Sequence, residues 1–418
     1  MATKVAVIGL GYVGLPLASL FHKSGYDVVG IDVDPRKIKS LDKGESYLSD
    51  FTDKEIKKLT SSKRFSYTTD FQSIQTASAI ILCVPTPLKD HQYPDLSYLE
   101  SATHALLPFL KKGQLVVLES STFPGTTEEV LVPLLQKSGL IIGEDLYIGY
   151  SPERIDPGNK DFTLAEIPKV VSGVTDRCRE KTVSIYEKAF HKLVPVDSPR
   201  IAEMTKILEN TQRLVNISFM NEMSQVCHQL GIDIWQVITA ASTKPYGFTS
   251  YFPGPGIGGH CIPVDPLYLK WKANQENLDT PFIDLAKQVN DAQPSYIVSR
   301  LEKALSKEVK NPSILLIGLT YKKDVNDVRE SVSIPIMEQI IDRGWSVDYH
   351  DPFMEDILVK DKQFKGVQLE PDILANYDAV LILTDHSHID YNHLVEHSKL
   401  IVDTRNCIKG HYPHVIRL

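Results

Sequence analysis

Short aliphatic and β-branched runs alternate with helix-period segments through the first third of the chain. Val5-Ala6-Val7-Ile8 predicts a buried strand, residues 13–24 a helix, and Val28-Val29-Gly30-Ile31-Asp32 a second strand. That order is a βαβ unit, whose parallel strands read as unbroken apolar runs because both faces are covered. Runs at residues 79–84 and 115–118, with helical stretches such as 96–110 between them, extend the unit into a doubly wound sheet. The order returns near the C-terminus. Residues 314–318 predict a strand, 334–343 a helix stopped by Gly344, 346–352 a strand echoing 28–35, and 379–383 and 400–403 two more.

Between the two copies, Asp197-Ser198-Pro199 supplies a capping side chain followed by proline, the chemistry that opens a helix. Ile201, Met204, Leu208, Val215, Phe219, Met223, Val226 and Leu230 keep an apolar stripe at helical spacing, and Gly231 closes it. Such a helix is a rod of about 45 Å, long enough to bridge two domains and to offer a dimer surface. The expected fold is therefore α/β: two Rossmann-like doubly wound domains joined by a long central helix and a small all-α domain. The boundaries fall at 1–197, 198–305 and 306–418.

Composition narrows the partners. Of 418 residues 42% are apolar and 23% charged, enough apolar content for a real core. Lys and Arg number 45 against 53 Asp and Glu, a net charge of −8, which argues against nucleic acid as the main partner. Five scattered cysteines (Cys83, Cys178, Cys227, Cys261, Cys407) form no Cys-x-x-Cys pair and no cluster at zinc spacing. A reducing cytoplasm is expected, with neither a disulfide framework nor a metal. No run is long enough to span a membrane. The apolar stretch 5–21 resembles a secretory signal but lacks a cleavage site and has a better use.

That use is Gly9-x-Gly11-x-x-Gly14, set between strand and helix, with Asp32 at the end of the next strand. The glycines permit a tight turn and close backbone approach to a pyrophosphate, and the helix N-terminus favours the anion. Asp32 accepts from a ribose hydroxyl and repels a 2′-phosphate, so NAD is expected over NADP, with Arg36 nearby as the residue that would favour the phosphate.

Residues 245–266 carry five glycines and five prolines, so neither helix nor ladder runs through them. Cys261 lies there beside His260, four residues before Asp265. Cys83 and Cys227 read as core filler; for Cys261, spacing alone leaves nucleophile and packed thiol equally open.

At this point the sequence resembles the UDP-glucose/UDP-mannose type of nucleotide-sugar dehydrogenases. The resemblance rests on the Gly9 fingerprint, Ser121-Thr122-Phe-Pro124-Gly, Ser151-Pro152-Glu153-Arg154, Glu203-Met-Thr-Lys206-x-x-x-Asn210, Gly-Gly-His260-Cys261-Ile-Pro-Val-Asp265, Tyr321-Lys322 through Arg329-Glu-Ser, and Asp403-Thr-Arg405. It implies an N-terminal NAD domain, a central dimer domain and a C-terminal UDP domain. It also implies oxidation of a UDP-sugar at C6 by two hydride transfers, with Cys261 holding the intermediate first as a thiohemiacetal and then as a thioester.

By the same resemblance Lys206 stabilises the oxyanion and Asn210 positions the substrate. Glu153 activates the hydrolytic water, while Asp265 and Thr122 hold a water near the reacting carbon. Tyr12, Val13, Pro85, Thr86 and Ser121 join Gly9, Gly11, Gly14, Asp32 and Arg36 around the cofactor, and Arg329 reaches its nicotinamide end. Arg154, Tyr251, Gly258, Lys322 and Arg405 complete the substrate side.

The segment Phe252-Pro-Gly-Pro-Gly-Ile-Gly-Gly259, with Arg154-Ile-Asp-Pro-Gly158, resembles the branch that oxidises UDP-N-acetylhexosamines. A small, glycine-rich loop would leave room for the acetamido group. UDP-N-acetylglucosamine, for a surface polysaccharide precursor, is the expected substrate; UDP-N-acetylmannosamine, UDP-glucose and a two-electron β-hydroxyacid oxidation are the alternatives.

Overall fold

A computed structural model describes residues 3–48, 51–89, 93–155, 162–259 and 261–418. His260 and the Asp156, Pro157 and Gly158 of the branch motif lie outside these. The chain divides into two compact units, 1–209 with 267–279, and 210–266 with 280–418.

The first unit is built on an eight-stranded sheet. Its strands are β1 (Lys4–Ile8), β2 (Asp27–Ile31), β3 (Phe65–Thr68), β4 (Ala79–Leu82), β5 (Leu115–Leu118), β6 (Tyr147–Tyr150), β7 (Lys169–Gly173) and β8 (Leu193–Pro195), ordered β8-β7-β6-β5-β4-β1-β2-β3. The predicted runs form its centre. Every pair is parallel except β6–β7, an inversion that no apolar run announced. Helix α1 (Gly14–Lys23) covers one face with Leu15, Leu17, Ala18 and Phe21. The helix expected at 96–110 ends at Leu106 and continues as a 3₁₀ turn over Leu107–Phe109; Pro108 has no N–H to carry an α-helix onward.

In the second unit β9 (Ser313–Ile317), β10 (Ser346–His350), β11 (Ala379–Ile382), β12 (Ile401–Asp403) and β13 (Val415–Arg417) form an all-parallel sheet ordered β10-β9-β11-β12-β13. The repeat extends to one hydrogen bond. Leu10 N donates to Asp32 Oδ2 at 2.7 Å in the first copy, and Leu319 N to Asp351 Oδ2 at 2.6 Å in the second. In the second copy the buried His386 also contacts Asp351, with Nε2 3.1 Å from Oδ2.

The central helix α2 runs Pro199–Gln229, followed by α3 (Ile234–Ala241), α4 (Asp265–Gln275) and α5 (Pro281–Ala304). The apolar stripe read along α2 is not its packing face. Ile201, Leu208, Phe219, Val226 and Leu230 are exposed, whereas Ala202, Glu203, Lys206, Ile207, Asn210, Leu214, Ser218, Asn221 and Ser224 are buried. The buried face is rich in polar groups, several of which meet a partner that periodicity does not reveal. Glu203, for example, takes Thr127 N and Thr127 Oγ1 at 2.8 and 2.6 Å. No helix among the described residues is long and apolar enough to cross a membrane.

Candidate active site

The glycine loop divides its labour residue by residue. Gly9 has φ +90°, and a Cβ there would lie 2.4 Å from the Cys83 carbonyl oxygen; one on Gly14 would lie 1.8 Å from that of Gly9. Chain packing requires both. Among the described residues nothing lies within 4 Å of a Cβ built on Gly11, so that side of its backbone faces open space where a pyrophosphate can approach. The N-terminus of α1 has no side-chain cap, which leaves its first amides to a ligand or water. Tyr12 and Val13 beside it are half-buried.

Asp32, 5% exposed, accepts from Leu10 N, from Asp34 N at 2.9 Å and from Lys37 Nζ at 2.7 Å. A carboxylate has about four acceptor positions, so one remains for a ribose hydroxyl. Lys37, which the sequence reading passed over, lies in the first turn of the next helix, directly after Arg36. Arg36 itself turns to Asp34 with its side chain 88% exposed, and holds that carboxyl down to about 2. Pro85 is exposed; Thr86 is buried, its Oγ1 donating to Ser121 O at 2.6 Å, while Tyr268 donates to its carbonyl. Cradle, uncapped amides and placed acid together fit NAD.

The antiparallel β7 builds the second part of this unit's site. Because β7 runs backwards, its first residue, Lys169, returns to the edge where β5 and β6 end, and meets Glu119 and Glu153 there. Its Nζ donates to Glu119 Oε2 at 2.5 Å and to Glu153 Oε2 at 3.1 Å, with all three residues at most 3% exposed. Glu153 Oε1 accepts the amides of Arg154 and Ile155, both at 2.7 Å. Burial opposes ionisation of Glu153, but Lys169 outweighs it and the carboxyl sits below its ordinary range. Lys206, expected on a solvated or substrate-facing helix surface, is buried and donates to the Glu153 carbonyl. Thr122 is 1% exposed, and its Oγ1 has no hydrogen-bond partner among the described residues. Arg154 spends three donors within the unit, on both oxygens of Glu209 and on Pro168 O.

In the second unit Cys261 is exposed, in contrast to Cys83, whose thiol burial pushes well above its ordinary value. The Cys261 carbonyl accepts Asp265 N at 2.8 Å, which fixes the turn into α4. Asp265 is buried and takes Asn210 Nδ2 on Oδ2 at 2.6 Å. The structure thus brings together two residues for which the sequence supplied separate tasks.

The preceding loop is clamped by amides that pattern reading missed. Asn221 Oδ1 accepts Gly254 N at 2.9 Å, Gln293 Nε2 donates to Gly254 O at 2.8 Å, and Asn290 Oδ1 accepts Ile257 N at 2.6 Å. Burial sets these three amides apart, and the residue pattern of their helices carries no sign of it. The glycines of this loop do not open space for an acetamido group, contrary to expectation. A Cβ on Gly254 would lie 2.9 Å from the Arg405 guanidinium, one on Gly258 2.6 Å from Glu330 O, and one on Gly259 2.6 Å from the Tyr321 ring. They admit close packing of the chain on itself.

Arg405 is half-buried beside this loop, with Nε donating to Leu383 O at 2.7 Å, and Lys322 is half-buried next to Tyr321. Tyr251 packs with Met220, Ile234 and Ile238. Arg329 is exposed and forked onto Asp327.

Three family models match in order: the NAD binding domain of the UDP-glucose/GDP-mannose dehydrogenase family over residues 3–190, its central domain over 200–292 and its UDP binding domain over 315–410. The mannose nucleotide of that family is a GDP sugar, not the UDP sugar of the sequence reading. The chain is 38% identical over 394 residues to UDP-N-acetyl-D-glucosamine 6-dehydrogenase of Pseudomonas aeruginosa, covering 92% of this chain and 90% of that protein. It is 34% identical over 415 residues to NDP-N-acetyl-D-galactosaminuronic acid dehydrogenase of Ralstonia nicotianae, covering 96% and 95%. Among solved structures, the UDP-D-ManNAc dehydrogenase of Pyrococcus horikoshii superposes with a TM-score of 0.89 at 32% identity, covering 99% and 98%. With fold, cradle and all three domain models in agreement, the chain belongs to the UDP-glucose/GDP-mannose dehydrogenase family of NAD-dependent oxidoreductases.

Proposed function

We propose that the chain oxidises the C6 hydroxyl of UDP-N-acetylglucosamine to the carboxylate, a four-electron reaction supplying a uronic acid for surface polysaccharide in the cytoplasm. The observation that carries this reading is the exposed Cys261, presented by a loop clamped by three buried amides. A thiolate so placed adds to the C6 aldehyde, holds it as a thiohemiacetal against loss to hydration, and after oxidation carries it as a thioester for water to cleave. Bound NAD supplies the hydride acceptor for both oxidations.

The chain's own residues do the rest. The Lys206 ammonium, fixed by the Glu153 carbonyl, stabilises the alkoxide that develops at C6. Asp265, aimed by Asn210, takes the task of holding a water near the reacting carbon, and the Thr122 hydroxyl, without a hydrogen-bond partner among the described residues, takes the same task that the family resemblance implies for it. Glu153, ionised at neutral pH, takes the proton of the hydrolytic water. Lys322 and Arg405 meet the diphosphate and sugar, Tyr251 and Gly258 line the substrate, and Arg154 and Arg329 take the substrate and nicotinamide roles that the family resemblance implies for them. The sequence likeness to the Pseudomonas relative, which is named for UDP-N-acetyl-D-glucosamine, supports the gluco sugar; the Pyrococcus neighbour's name makes the manno epimer the competitor.

Incubating the protein with NAD and each UDP-hexose in turn separates these. Two NADH per uronate from UDP-N-acetylglucosamine is the expected result. Turnover confined to another sugar removes the substrate, and one NADH per sugar removes the four-electron scheme. A separate expectation concerns the cofactor. Asp32→Ala should narrow the preference for NAD over NADP by about tenfold or more, since the repelled phosphate is worth on the order of 1–2 kcal/mol; fluorescence titration of both nucleotides reads it, and an unchanged ratio takes Asp32 out of the ribose site.

The outward stripe of α2, continued by exposed Ile232 and Val237, is in this reading the surface on which a second copy docks to form a homodimer.

A further inference from the structure

None of the steps above uses Glu119. It is 1% exposed, directly after β5; its Oε2 accepts from Lys169 and its Oε1 from the Tyr186 hydroxyl, both partners buried. One ammonium therefore serves two buried carboxylates, and neutralises only one. We propose that Glu119 is a positioning residue for Glu153: by sharing Lys169 it holds the Glu153 carboxylate in place and sets how basic that carboxylate is during thioester hydrolysis. This rests on the reading of Glu153 as the base.

The geometry supplies the reason. Glu153 already accepts two backbone amides and an ammonium, and each such bond stabilises the anion and weakens it as a base. With Lys169 wholly its own, it would be weaker still. A second carboxylate drawing on the same ammonium returns basicity to Glu153 without moving it. Burial pushes Glu119 up to about 7 despite the pull of Lys169, with the Glu153 charge adding to the rise. Near neutrality Glu119 is therefore about half protonated, while the negative charge stays on Glu153.

As pH rises through that value Glu119 ionises, competes for Lys169 and makes Glu153 the stronger base. The groups facing Glu119 are Lys169 on β7, Tyr186 at the end of the helix Asp176–Tyr186, Glu153 after β6 and the Cys83 thiol after β4; Lys206 on α2 reaches the Glu153 carbonyl. Burial holds both Tyr186 and Cys83 protonated well beyond neutrality. Glu119 is the member of the cluster that titrates there.

The test is the pH dependence of uronate formation by the full-length protein with NAD and the UDP-sugar it turns over. Wild type should show an inflection near pH 7. Glu119→Gln should lose it, with kcat on the alkaline side about tenfold lower, one pKa unit's worth of basicity, and KM for the sugar within about twofold. Tyr186→Phe removes a hydrogen bond that lowers Glu119, so it should move the inflection to higher pH without abolishing it. Glu153→Gln serves as the reference. If it releases uronate like wild type, the base assignment itself fails. If it is inactive while Glu119→Gln follows the wild-type profile, the positioning role alone is overturned. Should Glu119→Gln not fold, an unmoved inflection in Tyr186→Phe overturns the proposal on its own.

Discussion

Cys261→Ser is expected to lower uronate formation by about a thousandfold or more, the usual scale for losing a covalent nucleophile. A serine hydroxyl at the same place is far less acidic than a thiol, adds poorly to the aldehyde, and as an ester is cleaved more slowly than a thioester. The first oxidation needs no sulfur, so NADH per sugar should fall from two towards one, with aldehyde trapped by an added amine. Mass spectrometry of wild type in mid-turnover should find the sugar on Cys261. Wild-type uronate formation by the serine variant would falsify the assignment. Cys83→Ser is the matched control: its thiol is held protonated by burial, and its loss should touch stability and not stoichiometry.

The largest expected stability effect comes from Lys169→Met. Its ammonium is 2% exposed between two carboxylates; burial works against its charge, but Glu119 and Glu153 outweigh that and raise its pKa. Removing one partner of a buried ionic cluster leaves uncompensated charge and costs about 3–5 kcal/mol, or roughly 10 °C in melting temperature for a unit of this size. The pH dependence gives the sign. Without the cation both carboxyls have folded-state values above their unfolded ones, so the folded variant binds the extra protons and its deficit grows as pH rises through the acidic range. Melting curves of variant and wild type should therefore converge towards acid and separate towards neutrality. A deficit that is constant with pH would show that Lys169 matters by packing on Tyr186 and Phe190, not by charge.

Both predictions depend on residues that were unequally visible in the sequence. Cys261 stood out because glycine and proline at that density exclude every regular element. Glu119 and Lys169 did not, since each sits at the end of an ordinary apolar strand, 50 residues from the other. What joins them is the reversal of β7 against β6, and a reversed strand has the same residue pattern as a parallel one. The clamping amides Asn221, Asn290 and Gln293 were hidden for a related reason: an amide on a helix reads as solvated until the backbone it holds is known.

The loop glycines show the opposite error. Their number suggested open volume, yet the Arg405, Tyr321 and Glu330 atoms that meet them occupy that volume, and only packing between distant segments decides which use a missing side chain serves.

By itself the sequence determined the two α/β sheets, the NAD cradle and the irregular loop that carries Cys261, because each is specified by geometry within a few consecutive residues: a turn that only Gly9 and Gly14 allow, an acid one strand away, a segment no ladder can enter. The tertiary structure decided which face of α2 is covered, that Asn210 serves Asp265, and that one buried lysine is divided between Glu119 and Glu153. Helical and strand periods say how side chains are spaced, not what will stand opposite them, and the charge state of a buried group is set by its neighbours in space.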